Sequence, residues 1–118
     1  MSSFMLLLHT PTGRPPRVSG DPSVYTQITR EYMAWADRMR ELGHLKAGSK
    51  LTDDAGKIMS RASERVSTTD GPFPESKEVV GGYFLLSARD YAEACHLAES
   101  CPHLKYGSHI EVRQVEEL

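Results

Sequence analysis

Residues Val79-Val80-Gly81-Gly82-Tyr83-Phe84-Leu85-Leu86 form an apolar run without a single charged position. In an extended chain successive side chains alternate between faces. Tyr83 and Leu85 therefore point one way, Phe84 and Leu86 the other. Such a strand belongs inside a sheet that is covered on both sides. Its β-branched and aromatic content, and a length short for a helix, favour a strand. The paired glycines predict a bulge, or a place where another backbone comes close. Phe4 to His9 is a second run of this kind, followed by the breaker-rich stretch Pro11-Thr12-Gly13-Arg14-Pro15-Pro16.

Between these strands lies a strongly patterned helix. Asp21-Pro22 supplies an N-cap and a proline at the first helical position. Tyr25, Ile28, Tyr32, Trp35, Met39 and Leu42 then recur at spacings of three and four, which puts them on one stripe. Gly43 is suited to the left-handed position that ends a helix. Leu45–Gly48 and Arg61–Val66 read as two strands joined around the turn-rich Asp53-Asp54-Ala55-Gly56, and residues 69–78 as a loop. Asp90-x-x-Glu93 opens a second helix, in which Tyr91, Ala94, Ala98 and Cys101 keep helical spacing until Pro102. Ile110 to Val115 alternates apolar and polar residues, as a half-exposed strand does. With the central strands merged, the order β-α-β-β-α-β predicts an α+β, ferredoxin-like fold: an antiparallel sheet with both helices on one face. The other face then needs a cover, and a second copy of the chain is the simplest one. Two sheets closing on each other make a homodimer, a dimeric α+β barrel.

The 118 residues fit one domain spanning 1–118. A chain of this size buries only about two-thirds of its unfolded surface, which also favours self-association. Net charge is -2 and the basic residues alternate with acids, as in Asp37-Arg38-Met39-Arg40-Glu41. The basic, aromatic-interleaved patch of a direct nucleic-acid binder is missing. Cys95 and Cys101 are too few for a disulfide framework and read as free thiols. Phe4-Met5-Leu6-Leu7-Leu8 is too short for the apolar core of a signal peptide and lacks a preceding positive charge. No apolar run approaches the roughly 20 residues that cross a bilayer, so the expectation is a cytoplasmic protein with no membrane partner.

Candidate chemistry concentrates in Asp70-Gly71-Pro72-Phe73-Pro74-Glu75-Ser76-Lys77-Glu78. Two prolines and a glycine make a rigid presentation of Asp70, Glu75 and Lys77 plausible, an acid, a base and a cation for proton transfer. The bland alternative is that Asp70 caps a turn while Glu75 and Lys77 form a surface ion pair. Glu111 and Arg113 share a strand face, and would suit an anionic or carbonyl-bearing ligand inside a barrel or else form the polar face of an edge strand. Tyr32 belongs to the core stripe yet has a hydroxyl that seeks a partner at a pocket wall; Tyr83 is a second such candidate. His9, His44, His96, His103 and His109 show neither the i, i+4 pair nor the CxxC spacing of a zinc site, and no metal is expected. Cys101-Pro102-His103 places a thiol and an imidazole close together without an orienting third group. No glycine-rich nucleotide motif occurs, so no cofactor is expected.

Asp70-Gly71-Pro72-Phe73 followed by Glu75-Ser76-Lys77-Glu78 resembles the signature of the DGPF branch of the YCII-related family. Phe4-Met5-Leu6-Leu7, Tyr32 with Trp35, Gly43 with Gly48, Gly81-Gly82-Tyr83, Cys101-Pro102-His103 and Ile110-Glu111-Val112-Arg113 agree in order. The resemblance implies a bacterial source, the same dimeric α+β barrel, and a link to extracytoplasmic-function sigma factors. The residues themselves lead to the expectation of a small-molecule site in each half of the barrel, with Asp70, Glu75, Lys77 and His103 as candidates for acid–base chemistry and Tyr32, Tyr83, Glu111 and Arg113 as ligand contacts. One departure stands out. Where YCII relatives are discussed in terms of a histidine on the first helix and an aspartate before a proline after the second, this chain has Tyr32 and Cys101. That His–Asp mechanism therefore does not carry over. The alternative function is a non-catalytic dimeric module in transcription; a cofactor-free monooxygenase rests on fold analogy alone.

Overall fold

A computed structural model of the protein describes residues 1–12, 22–72, 75–106 and 109–118. Strand β1 (Ser2–Pro11) leads to helix α1 (Pro22–Glu41) and strand β2 (Leu45–Lys50). Strands β3 (Lys57–Ala62) and β4 (Arg65–Asp70) follow, then β5 (Glu78–Ala88), α2 (Tyr91–Ala98), α3 (His103–Tyr106) and β6 (His109–Gln114). The result is a mixed α+β protein. Four strands form an antiparallel sheet in the order β2-β5-β1-β6, while β3 and β4 make a separate two-stranded sheet.

The two apolar runs of the sequence are the two central strands. β1 pairs with β5 from Ser2↔Ala88 to Pro11↔Glu78 and with β6 from Phe4↔Gln114 to His9↔His109. Phe4, Leu6, Leu8, Leu86 and Ala88 are buried on one face. Over it pack Trp35 and Met39 of α1, Ala94 and Ala98 of α2, and Cys101. Trp35 is only 1 % exposed; its ring lies 4.9 Å from that of Phe84 and its Nε1 donates to Ser100 Oγ at 3.0 Å. Met5, Leu7, Tyr83 and Leu85 fall on the opposite face and are half-buried.

Local signals account for the ends of the elements. At the end of α1, Gly43 adopts φ +83°. Its N–H donates to Arg40 O at 3.0 Å, and that of His44 to Met39 O at 2.9 Å. This is the Schellman arrangement that only glycine enters without strain. The N-cap assigned to Asp21, the Gly13–Pro16 part of the first loop, and Phe73-Pro74 lie outside the described residues. Asp90 caps α2 by accepting from the Glu93 N–H at 2.9 Å, while Glu93 reaches back to the N–H of Arg89 at 3.0 Å. The bulge expected at the glycine pair is present: Leu8 faces Gly82 but His9 faces Val80, which leaves Gly81 as the extra residue.

The middle of the chain differs from the sequence expectation. Leu45–Lys50 is an edge of the main sheet, and Arg61–Val66 straddles the tip of a second hairpin whose turn is Ser63-Glu64. Ser63 takes φ +57°, the left-handed region that twisted two-residue hairpins need. Apart from Ile58, the residues of this hairpin are exposed, so no buried face imposes the alternation by which a strand is recognised. The second helix also stops earlier than the spacing suggested. α2 ends at Ala98, and the short α3 begins after Pro102.

Leu6 is fully buried between the sheet and the helices. Leu6→Ala should lower stability by about 2–5 kcal/mol, measured as a reduced urea midpoint with an unchanged denaturant slope.

Candidate functional site

A cleft of about 260 Å³ opens between α1 and the ends of β1, β2 and β5. Leu8, Met33 and Phe84 give it apolar walls, and Thr10, Thr29 and Ser49 add hydroxyls. Gly81 and Gly82 border it with backbone alone; a Cβ on Gly82 would stand 3.0 Å from Ser49 O, so the close pairing of β5 with β2 needs glycine there.

Tyr32 and His103 meet on the wall of this cleft. Tyr32 lies one helical turn before Trp35, the anchor of α1, and His103 is the first residue of α3, held immediately after Pro102. Tyr32 Oη is 3.0 Å from His103 Nδ1, and His103 Nε2 is 2.8 Å from the carbonyl oxygen of His9. A carbonyl only accepts, so Nε2 carries the hydrogen; in the neutral ring Nδ1 then accepts from the tyrosine hydroxyl. The imidazole is 2 % exposed, and both its nitrogens are bonded, as burial of a polar ring requires. Hydroxyl, imidazole and carbonyl form a chain along which one proton can shift.

Cys101, two residues earlier, has a different character. Burial pushes its thiol up to about 11, against a smaller opposing effect from a backbone hydrogen bond of His103. At neutral pH burial therefore favours the thiol over the thiolate there. A thiol held in that form is a weak nucleophile.

Other candidates gather on the opposite face of the sheet. The register His9↔His109 sets two imidazoles side by side, stacked with centroids 4.6 Å apart. His9 Nε2 is 3.0 Å from Glu111 Oε1, His9 Nδ1 is 4.0 Å from Glu78 Oε2, and His109 Nε2 is 3.2 Å from the same Glu78 oxygen. Arg113 lies 3.2 Å from Glu111 Oε2. The bonds from His9 first, and then Arg113, hold the Glu111 carboxyl below the usual carboxylate range. Tyr83 stands in the same row, since Leu7 faces Tyr83 on one side and Glu111 on the other.

The loop residues occupy a third place. Asp70 ends β4, its side chain 84 % exposed and ion-paired with Lys57. Glu75 and Lys77 are exposed, and neither they nor Asp70 line the cleft. The loop is tied down through backbone: Gly71 N–H donates to Gly56 O at 2.9 Å, Thr12 N–H to Lys77 O at 2.9 Å, and Thr12 Oγ1 to Ser76 O at 3.3 Å.

Of the candidates read from sequence, then, Tyr32 and His103 meet at the cleft, Tyr83, Glu111 and Arg113 share the open face, and Asp70, Glu75 and Lys77 stand apart from both. The grouping of His9, Glu78 and His109 had no sequence signal. It arises from strand pairing between residues about a hundred positions apart, and the only hint was that His9 and His109 each flank an apolar strand.

The two thiols provide a check on the buried side of the site. Cys95 is exposed and Cys101 buried, so iodoacetamide on the native protein at pH 7 should alkylate Cys95 and spare Cys101. Peptide mass mapping would show both modified only after unfolding.

A family model of the YCII-related domain matches residues 5–118. No curated protein matches the chain. The match runs from the first residues of β1 through the cleft, the open face and β6, and the chain accordingly belongs to the family of YCII-related domains.

Proposed function

We propose that this protein is a small-molecule enzyme of acid–base type, with its reaction centre at Tyr32 and His103. The observation that carries the reading is a tyrosine hydroxyl 3.0 Å from a buried imidazole on the wall of a mostly apolar cleft. In the forward step a substrate C–H or O–H proton passes to Tyr32 Oη as the tyrosine proton moves to His103 Nδ1. The imidazolium keeps its Nε2 bond to His9 O, and the reverse transfer returns the proton to product. Asp70, Glu75 and Lys77 have no part in this transfer. The apolar walls with a few hydroxyls suit a small carbonyl compound better than a polyanion.

The same reading gives the single domain a ferredoxin-like topology and pairs two copies through the open sheet face into a dimeric α+β barrel. Half-buried Met5, Leu7, Tyr83 and Leu85 support it, because an apolar sheet face is stable when covered. Asp70-Gly71-Pro72-Phe73 supports a place in the DGPF branch, with a bacterial source and a cytoplasmic setting. The rival is a non-catalytic dimer acting with an extracytoplasmic-function sigma factor. It draws on the DGPF loop, whose bonds at Gly71, Ser76 and Lys77 are made by backbone.

Two measurements test the proposal, the first its dimer and the second its catalysis. Light scattering should give twice the chain mass of 13.2 kDa; a monomer at micromolar concentration overturns the barrel. In D₂O with a panel of small ketones and 2-oxo acids, wild type should accelerate α-deuteration, followed by proton NMR. Tyr32→Phe and His103→Gln should lower that rate by about 10²–10⁴-fold. A dimer that exchanges no proton from any of them moves the choice to the regulatory module.

A further inference from the structure

From the open face of the sheet we infer a second site, on the side away from the cleft: a binding site for a divalent first-row transition metal ion, held by His9, Glu78 and His109. One ligand atom from each of the three lies within 4.8 Å of the others. Ligand atoms around a tetrahedral ion with bonds of about 2.0–2.1 Å stand roughly 3.3 Å apart. His109 Nε2 and Glu78 Oε2 are already at 3.2 Å, and His9 Nδ1 is 4.0 Å from that oxygen, a gap that a small side-chain rotation closes.

The surroundings of His9 argue more strongly than the distances. Its Nε2 lies 3.0 Å from Glu111 Oε1 and its Nδ1 4.0 Å from Glu78 Oε2, so the ring stands between two carboxylates. Metal-bound histidines characteristically donate their other ring N–H to a carboxylate, which fixes the tautomer and raises ligand basicity. Glu111 is placed to do this, and Arg113 at 3.2 Å holds its second oxygen. Backbone order supports the set: His9 and His109 are direct partners in the β1–β6 ladder, and the His9 carbonyl is bonded by His103.

Two imidazoles and one carboxylate suit zinc, cobalt, nickel or iron(II) better than calcium or magnesium, which prefer oxygen ligands. His109 is about half exposed, so open positions of the ion would face whatever covers this side of the sheet. The site also differs from the thiol-based alternative, since neither Cys95 nor Cys101 belongs to it.

The test uses the tag-free chain after dialysis against a chelator, because a histidine tag would compete. Zinc chloride titrated in a calorimeter should bind once per chain. Glu111→Gln should weaken that binding by about 10–100-fold, the usual effect of losing a carboxylate behind a ligating histidine. His9→Ala, Glu78→Gln and His109→Ala should each weaken it further, with far-ultraviolet circular dichroism unchanged. His96→Ala, which touches only the exposed pair with Glu99, should bind like wild type. Cobalt(II) should give visible d–d bands without sulfur-to-metal charge transfer. Absence of zinc binding overturns the proposal. So does binding that survives in both Glu78→Gln and His109→Ala, or a cobalt spectrum showing thiolate.

Discussion

Everything in this protein depends on the double pairing of β1. One strand is bonded to β5 along one edge and to β6 along the other, and its alternate residues serve opposite sides. Phe4, Leu6 and Leu8 enter the core; Met5, Leu7 and His9 face away. Burying a side chain such as Leu6 contributes about 1.5–3 kcal/mol, whereas an exposed ion pair contributes roughly 0–1 kcal/mol. The apolar residues therefore decide the register, and the polar clusters are its consequences. A slip of one residue would turn Leu6 to solvent and separate His9 from His109 and Glu111 at once.

The parts legible in the sequence were those written by burial. The run from Val79 to Leu86 and the stripe from Tyr25 to Met39 each report a neighbour that removes water from one side, whereas Leu42, read as the end of that stripe, is 61 % exposed because it lies past the end of the helix at Glu41. Gly43 and Asp90 were readable for a different reason, because the hydrogen bonds that end a helix are local. The β3–β4 hairpin was misplaced because its side chains are exposed and Ser, Thr and Arg occupy both faces alike. Helix α3 is a single turn, too short for a period to show.

The site was legible only in its members. Tyr32 stood out as a hydroxyl on a core stripe and His103 as an imidazole beside a helix-stopping proline, but their meeting needs α1 and α3 on one face of the sheet. His9 was passed over because its partners are far away in sequence. Its carbonyl receives His103 on the helix side, while its ring joins Glu111, Glu78 and His109 on the other. The two candidate sites thus share a residue whose backbone serves one and whose side chain serves the other. A distortion of β1 at position 9 would move both.

The departure from the His–Asp pair discussed for YCII relatives has a physical logic in this setting. A buried imidazole backed by a carboxylate places a formal charge in the core, and burying an unpaired charge is far costlier than burying a bonded dipole. Here the residue before Pro102 is Cys101, whose thiol burial pushes up to about 11. The imidazole comes instead from His103 and is backed by a backbone carbonyl. The chain from Tyr32 Oη through His103 to His9 O is uncharged when the ring is neutral, so it can be buried beside Trp35 and Leu8 at low cost. The carbonyl holds the Nε2–H without adding a charge, where a carboxylate would add one.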